Sequence, residues 1–246
     1  MDAAACWTAS PFSVHACAVT LIDDQVGQIL DVIERRGELD NTVIVVCADH
    51  GEFNGDWGIC SKKSLLSPAV RIPLIVRTPQ SAAARRLDAG GEPVLCSSPA
   101  ELIDVGATLA DAAGTELKHR QFGRSLLPVA NGSASSHRED SLAEYEGELM
   151  LQNEEWKAVA NQEGDVYLLF DRVNDPLEQV NLAGSPAAAA VEQQLKMRMM
   201  ERLVQSQVYM RRDGSFDGIQ SGRPDRIEPR NAKDALGKSP GGSAKL

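Results

Sequence analysis

The sequence predicts an α/β fold followed by a small antiparallel sheet and a long helix. Two continuous apolar, β-branched runs, at 42–47 and 72–77, are typical of central strands covered on both faces, as in a parallel sheet. A helical apolar pattern at 12–36 precedes them, so helix, strand, loop and strand follow one another in the α/β order.

Two helices are predicted in this first part of the chain. In the first, apolar residues recur at steps of three to five, at Val14, Ala18, Leu21, Val26, Ile29 and Ile33. This spacing indicates an amphipathic helix packed by one face, and Gly37 ends it. A second helix is predicted from Pro99 to Ala113, with Ser98 as its cap and Gly114 as its end.

The character of the chain changes after Gly114. Strand-like segments at 141–146, 155–160 and 166–171 predict an antiparallel sheet with tight turns, and a helical pattern covers 186–211. Gly, Pro, Ser and both charge signs fill the remainder, which indicates a disordered tail. We therefore expect three parts: an α/β part at 1–130, a sheet and helix subdomain at 131–211, and a tail at 212–246.

Composition narrows the functional classes. The formal net charge of −10 and the lack of a dense Lys/Arg run argue against a general nucleic-acid binder, because phosphate neutralisation needs a basic face. An anionic small substrate stays open, since one metal ion or one lysine can reverse the local field. No signal peptide or membrane-spanning stretch is found, so we expect a soluble chain that is cytoplasmic by default and has no membrane partner.

The five cysteines are scattered, at Cys6, Cys17, Cys47, Cys60 and Cys96. Their number is odd and no C-x-x-C spacing occurs. This pattern favours free, mostly buried thiols over a disulfide framework or a zinc knuckle.

The stretch VVCADHGE at 45–52 is the first candidate site. Asp49 and His50 follow a predicted strand directly, at the edge where open α/β sheets bind ligands. Two interpretations are open for the pair by itself. It could ligate a metal or take part in catalysis, or it could be an aspartate that caps the loop beside a hydrogen-bonded histidine.

Motifs around this pair occur in a fixed order. They are I-D-D-Q-V-G at 22–27, D-N-T at 40–42, D-H-G at 49–51, G-D-W-G at 55–58, Lys62, A-V-R-I-P-L-I-V at 69–76, G-R-S-L-L-P at 123–128 and N-D-P-L-E-Q-V-N-L-A at 174–183. In order and spacing the chain resembles the sulfatase family of the alkaline-phosphatase-like superfamily. The resemblance implies the C-terminal part of that family's α/β sheet with flanking helices, followed by its small antiparallel sheet and helix subdomain.

The resemblance also implies roles for individual residues. Asp49 and His50 would bind a divalent cation, usually Ca²⁺, and Lys62 would contact a sulfate oxygen, with Lys63 as the alternative lysine. The chemistry agrees, because a cation and an ammonium group stabilise the charge that moves onto oxygen when an S–O bond breaks. A hard cation prefers oxygen ligands, so Asp49 suits calcium better than His50 does.

The nucleophile of such an enzyme is expected outside this chain. In the family, formylglycine forms from the first residue of a C/S-x-P/A-x-R motif, and the windows at Cys6, Cys17 and Cys96 do not fit it. Asp49 and His50 also cannot complete a calcium shell of about 6–8 ligands. We therefore expect a truncated portion that is inactive alone and needs the N-terminal half of the fold or a homologous chain.

Three functions follow from the resemblance. The first is sulfuric ester hydrolysis, acting on a small sulfate ester or a sulfated sugar. The second is hydrolysis of phosphonate or phosphate esters, because relatives in the superfamily share the Asp-His pair and the lysine. The third is a noncatalytic remnant that serves as an interaction module. The sequence leaves the identity of the substrate open.

Overall fold

The computed structural model describes residues 11–79, 95–115 and 122–206, all of them within one compact unit. The helices are α1 Pro11–Arg35, α2 Ser67–Val70, α3 Ile103–Ala112, α4 Leu127–Ala130 and α5 Ala189–Ser206. The strands are β1 Ile44–Cys47, β2 Leu74–Arg77, β3 Ser141–Tyr145, β4 Glu148–Gln152, β5 Trp156–Ala160 and β6 Val166–Asp171. This mixture of helices and sheets confirms the α/β class.

Helix α1 has the predicted extent, but it is not packed by one face. Gly37 ends it at a φ of 69°, and Glu38 N–H donates to Ile33 O at 3.1 Å in the closing turn. None of the side chains described in α1 is buried, and Leu21 and Ile29 are 63% and 60% exposed. The expected packing is therefore not present, because no described element covers the apolar stripe.

Strands β1 and β2 pair with each other in antiparallel orientation. Ile44 lies opposite Arg77, and Cys47 lies opposite Leu74. The parallel arrangement predicted for these strands is wrong for this pair. A parallel pair needs a crossover that returns the chain to the other end of the sheet, usually through an α-helix, whereas the connection between β1 and β2 contains only the short helical turns Asp56–Gly58 and α2. The predicted cover on both faces is also missing, since Ile75 is 61% exposed.

The second sheet has four antiparallel strands in the order β3-β4-β5-β6. It confirms the three predicted strands and adds β4. A two-residue turn at Glu146 and Gly147 joins β3 to β4, with φ values of 48° and 87°. Positive φ at both central residues is the geometry of a type I′ hairpin turn. The sequence at this turn is Glu-Gly rather than the usual Asn-Gly, which explains why β4 was missed.

The core lies on both faces of the second sheet. Helix α5 covers one face, where Leu151, Ala158, Leu169, Leu195 and Met199 are buried together. On the opposite face, Met150 and Val159 pack with Leu65 from the segment that connects β1 to β2. This contact fixes that segment, which carries the candidate site, to the antiparallel sheet.

Helix α3 begins at Ile103, later than predicted. Ser98 does not cap it, because the Asp104 carboxylate accepts a hydrogen bond from Glu101 N–H at 2.8 Å and closes the first turn. Gly114 ends the helix as predicted, with a φ of 63°. Helix α5 is described to Ser206, and the predicted tail at 212–246 lies outside the described residues.

The cysteines differ from the prediction. Cys17, Cys47 and Cys96 are free but exposed, and Cys60 is disulfide-bonded. The expectation of buried thiols is wrong for the first three, because no described element covers Cys17 on α1 or Cys47 on β1, and Cys96 lies in an exposed segment. The expectation of a free thiol is wrong for Cys60. Within the described ranges, no helix has the length and apolar character needed to cross a membrane.

Candidate metal and substrate site

Asp49 and His50 lie in the loop that follows β1. The Asp49 carboxylate accepts the backbone N–H of His50 at 2.9 Å through Oδ1, and its Oδ2 lies 3.3 Å from His50 Nε2. The side chains are 82% and 39% exposed, respectively. The aspartate therefore does cap its own loop, but both polar groups also remain accessible to a ligand.

The His50 ring has a defined partner on each nitrogen. Nδ1 lies 2.8 Å from Gly51 O, and Nε2 lies 2.5 Å from Lys62 Nζ. A carbonyl oxygen can only accept, so these partners assign the ring proton to Nδ1 and leave the Nε2 lone pair to accept from the Lys62 ammonium. The three residues predicted for the site thus meet at one point.

The loop between His50 and Lys62 folds back on itself. Phe53 N–H donates to Ser61 O at 3.0 Å, and Gly55 N–H donates to Ile59 O at 3.0 Å. These two hydrogen bonds turn the chain back, so that Lys62 lies opposite His50. The neighbouring Lys63 instead lines a separate cleft.

Gly51 is required for the approach of two chain segments. Its N–H donates to Ala69 O at 2.7 Å, and a Cβ at this position would overlap the carbonyl oxygen of Pro68. Only glycine lets the two backbones come this close. The glycine of the D-H-G motif therefore fixes the Asp49 and His50 loop against α2.

The donor set fits part of a cation's coordination shell. Two ligands at right angles on a calcium ion, with bonds of about 2.3–2.6 Å, lie about 3.3–3.7 Å apart. Asp49 Oδ2 and His50 Nε2 are 3.3 Å apart, which agrees with that geometry. No group of three or more His, Cys, Asp or Glu side chains able to hold a metal occurs in the described part of the chain. Further ligands would have to come from elsewhere.

Comparison with known proteins identifies the family. The family model described as "N-sulphoglucosamine sulphohydrolase, C-terminal" matches residues 55–205, more than half of the chain. The chain belongs to the sulfatase family. It corresponds to a C-terminal portion of that family's fold, in agreement with the order of its motifs and with the alkaline-phosphatase-like superfamily.

Individual relatives give the extent of the similarity. The choline-sulfatase of Rhizobium meliloti is 33% identical over 177 residues, which are 68% of this chain and 32% of that protein. The phosphonate monoester hydrolase of Silicibacter pomeroyi is 26% identical, with a TM-score of 0.63 over 78% of this chain and 42% of that one. BT4656, solved with its substrate D-glucosamine-2-N,6-O-disulfate, is 26% identical with a TM-score of 0.62, over 76% and 39% of the two chains.

The sulfatase chain matches only part of the length of its relatives. It spans about a third of the length of the curated relatives it matches, 32% and 34% for two of them. The matched portion contains the loop with Asp49, His50 and Lys62 only in part, because the family model begins at residue 55. Roles for these three residues therefore rest on the loop geometry and the motifs.

The sulfatase chain contains a buried ion pair next to α2, between Lys157 and Glu178. The sequence did not indicate this pair. Lys157 and Glu178 are 0% and 2% exposed, and Nζ lies 2.8 Å from Oε1. Burial lowers the pKa of Lys157, and the neighbouring Glu178 carboxylate opposes that shift. Glu178 also accepts both the hydroxyl and the backbone N–H of Ser67, at 2.5 and 2.8 Å. The one available signal was a lysine within the otherwise apolar strand β5.

The serine form of the formylglycine motif, S-x-A-x-R, occurs twice in the sequence, at 67–71 and at 81–85. The second window lies outside the described residues. In the first, the Ser67 hydroxyl donates to buried Glu178 and lies 3.4 Å from Lys157 Nζ. Ser67 is therefore held as an anchor of α2.

The cleft lined by Lys63 has a volume of about 520 Å³. Its lining includes Lys63, Tyr145, Glu146, Glu148 and Tyr167. The Tyr145 and Tyr167 hydroxyls donate to Glu146 and Glu148, each at 2.8 Å. Burial and the Glu148 hydrogen bond raise the pKa of Tyr167 to about 12, so its hydroxyl stays protonated at neutral pH.

An irregularity in the sheet brings Tyr167 into this cleft. Ala160 pairs with Val166, and Val159 pairs with Leu168, so Tyr167 has no partner in the register of β5 and β6. An extra residue of this kind re-aims a side chain, and such bulges are over-represented next to active sites.

Proposed function

We propose that this chain forms the C-terminal part of a divalent-cation-dependent hydrolase of sulfuric esters. Asp49 and His50 are two of the cation's ligands, and Lys62 contacts a sulfate oxygen. The observation that supports this most strongly is the 2.5 Å approach of Lys62 Nζ to His50 Nε2 beside the Asp49 carboxylate. We keep the division into an α/β part at 1–130 and a sheet and helix subdomain at 131–211 as part of the proposal.

The three side chains have complementary tasks. A bound cation, for which we propose calcium, would supply positive charge against the ester oxygens. Asp49 offers it a hard oxygen ligand, and His50 offers the Nε2 lone pair. Lys62 occupies that lone pair in the structure, and its ammonium would be repelled by a cation. The flexible lysine side chain can then turn to the anionic ester, whose negative charge attracts it.

Other parts of the site must complete the reaction. The remaining cation ligands and the nucleophile are proposed to come from the N-terminal portion of the family's catalytic domain. Loss of the nucleophile in a covalent hydrolase costs about six orders of magnitude in turnover. We therefore propose that this chain is inactive without that portion.

The cleft beside Lys63 is the proposed place for the organic part of the ester. Two tyrosine rings and amide side chains line it together with Glu146, Glu148 and Glu163. The carboxylates disfavour further sulfate groups and can accept hydrogen bonds. We propose an organic part that carries hydroxyl or ammonium donors, as in a sugar or a small amino alcohol.

Two other functions have support from specific observations. The similarity to the phosphonate monoester hydrolase of Silicibacter pomeroyi supports a phosphonate or phosphate ester as substrate, since such an ester presents a similar tetrahedral anion to Lys62. The exposed apolar residues of α1, Leu21 and Ile29 among them, support the interaction module.

Kinetics separate the alternatives. The chain would be expressed together with the rest of the catalytic domain, and rates would be measured on matched aryl sulfate, aryl phosphate and phosphonate esters. We expect the sulfate ester to react fastest. Lys62→Met should lower kcat/KM by about 10²–10³, as loss of one charge-stabilising group does, while the matched control Lys63→Met retains most of the activity. A faster phosphate or phosphonate reaction would support the second function.

The interaction module makes a different prediction. If the role of the chain is binding alone, Asp49→Ala and Lys62→Ala should leave the biological role intact while folding is preserved. No hydrolysis of any of the three esters by the complete domain would also argue for that module and against the enzyme.

A further inference from the structure

We propose that the buried ion pair of Lys157 and Glu178 positions the loop that carries Asp49, His50 and Lys62. The inference rests on the function proposed for those three residues. Neither member of the pair is proposed to touch the substrate or the cation. Both act as positioning residues, through a chain of hydrogen bonds that runs from the antiparallel sheet to the site.

The first step joins the pair to α2. Lys157 lies on β5 and Glu178 in the turn that follows β6, and both side chains are buried. Glu178 accepts from the hydroxyl and from the backbone N–H of Ser67, the first residue of α2. The backbone of Glu178 has a φ of 58°, which is unfavourable for a side-chain-bearing residue. Its surroundings therefore hold it in one conformation.

The second step joins α2 to the loop. Ala69 O accepts the N–H of Gly51 at 2.7 Å, and the two backbones are too close to admit a Cβ at Gly51. A contact this close transmits displacement, because neither backbone can move alone without breaking the hydrogen bond or overlapping the other. A shift of α2 therefore moves Gly51.

The third step reaches the reactive side chains. Gly51 O is the partner of His50 Nδ1 at 2.8 Å, and this bond keeps the proton on Nδ1. With the proton there, Nε2 presents its lone pair to Lys62 and to the side where Oδ2 of Asp49 lies. If Gly51 O moves, His50 loses the acceptor that selects this tautomer.

Apolar packing alone would not fix the orientation of α2 relative to the antiparallel sheet. Leu65 packs on Met150 and Val159, which holds the segment near the sheet. Hydrophobic contact is non-directional, so it sets the distance between segment and sheet more than the orientation of the backbone. The paired hydrogen bonds from Ser67 to Glu178 supply that orientation.

The experiment removes both members of the pair, so that neither Lys157 nor Glu178 is left buried without its partner. In the double variant Lys157→Met/Glu178→Leu both partners become apolar, and such replacements are often neutral or stabilising. Folding would be followed by circular dichroism and urea denaturation. The His50 ring would be followed by long-range proton–nitrogen correlation spectra, which report the nitrogen that carries the proton, with His50→Gln to assign its signals.

We expect the double variant to fold, while His50 loses the single Nδ1-protonated pattern and shows both tautomers. The matched control is Asp165→Asn/Lys196→Met, which removes an exposed ion pair of 3.8 Å and should leave the His50 spectrum unchanged. An unchanged His50 spectrum in the folded double variant would overturn the proposal.

A single substitution covers the case in which the double variant does not fold. Ser67→Ala removes the hydroxyl bond and keeps the ion pair. A second tautomer in that variant would support the proposal, and an unchanged spectrum would overturn it. These measurements use neither a cation nor an ester. A failure of ester hydrolysis would therefore count against the proposed function and leave the positioning result to stand by itself.

Discussion

Asp104 anchors the beginning of α3, and its removal gives the largest effect on stability that we predict. The carboxylate is fully buried and accepts the backbone N–H of Arg124 at 2.7 Å, His137 Nε2 at 2.9 Å and Arg138 Nε at 2.9 Å, in addition to Glu101 N–H. Replacement by alanine leaves the Arg138 guanidinium, only 3% exposed, without its main counter-charge. Glu101 Oε2, at 3.7 Å, compensates that charge only in part, because its carboxylate also accepts a hydrogen bond from Arg202.

The expected cost follows from that burial. Removal of one partner of a buried ion pair costs about 3–5 kcal/mol, since the other charge stays buried and uncompensated. With a urea m-value of about 2 kcal/mol/M, a loss of about 4 kcal/mol lowers the midpoint of unfolding by about 2 M. The matched control is Asp111→Ala on the exposed side of the same helix, where we expect a change within about 0.5 kcal/mol.

The pH dependence gives a second measure of Asp104. Burial raises its pKa, but hydrogen bonds from Arg138, Arg124, Glu101 and His137 outweigh burial and lower it. A carboxylate with a lowered folded pKa stabilises the protein fully above its unfolded pKa of about 3.9, and this contribution disappears as the pH falls through the folded value. The Asp104→Asn variant has no carboxylate at this position, so its free energy of unfolding should fall less than that of the wild type as the pH is lowered. Equal midpoints for the Asp104→Ala and Asp111→Ala variants, or superimposable acid profiles, would refute the reasoning.

Three further predictions concern the site and its cleft. Gly51→Ala should cost about 1–3 kcal/mol in urea denaturation, because its Cβ overlaps α2, whereas Gly27→Ala, with nothing within 4 Å, should not destabilise. Lys62→Met should bind Mn²⁺ at least as tightly as the wild type in calorimetric titrations; weaker binding would show that the ammonium does not compete with the cation. Tyr167 should ionise at about pH 12 in absorbance titrations, against about 10 for a free phenol, and Glu148→Gln should lower that value. The pKa of Tyr167 is higher in the folded protein than in the unfolded chain, so the protonated hydroxyl stabilises the fold below pH ~10. This stabilisation is lost as the pH rises through the folded pKa. A Tyr167 that ionises at about pH 10 would contradict the prediction.

Hydrophobic periodicity and runs of β-branched residues predicted most helices and strands, because these patterns depend on residues close together in sequence. The apolar spacing of α1 and the run of β1 gave their positions nearly to the residue, since periodicity and β-branching depend on neighbours in sequence. The pairing of β1 with β2 depends on how their connection returns, which no pattern in either strand encodes. Strand β4 was missed because its turn lacks the usual Asn-Gly signal.

The candidate site was proposed for a different reason. The order of family motifs points to Asp49, His50 and Lys62, and the folded-back loop places His50 within hydrogen-bond reach of Lys62 and 3.3 Å from the Asp49 carboxylate. The buried position of Lys157 was not predictable, because a lysine in a strand is usually exposed and its partner Glu178 lies 21 positions later. Long-range pairs of this kind are visible only after folding.

The uneven burial of the two sheets leads to a final prediction about local stability. Strand β5 is almost wholly buried, whereas β1 has no buried residue and is paired on one side by β2. Amide exchange follows the free energy of local opening, which is smallest where few apolar contacts hold a segment. In hydrogen exchange measured by mass spectrometry, peptides of β1 and β2 should therefore exchange faster than peptides of β4 and β5. The loop at 51–61 should be intermediate, because Phe53 is 1% exposed and Gly51 is bonded to α2. If β1 is instead protected as strongly as β5, the described contacts do not account for its stability. The strand that precedes the candidate site would then be more stable against local opening than its contacts in the structure indicate.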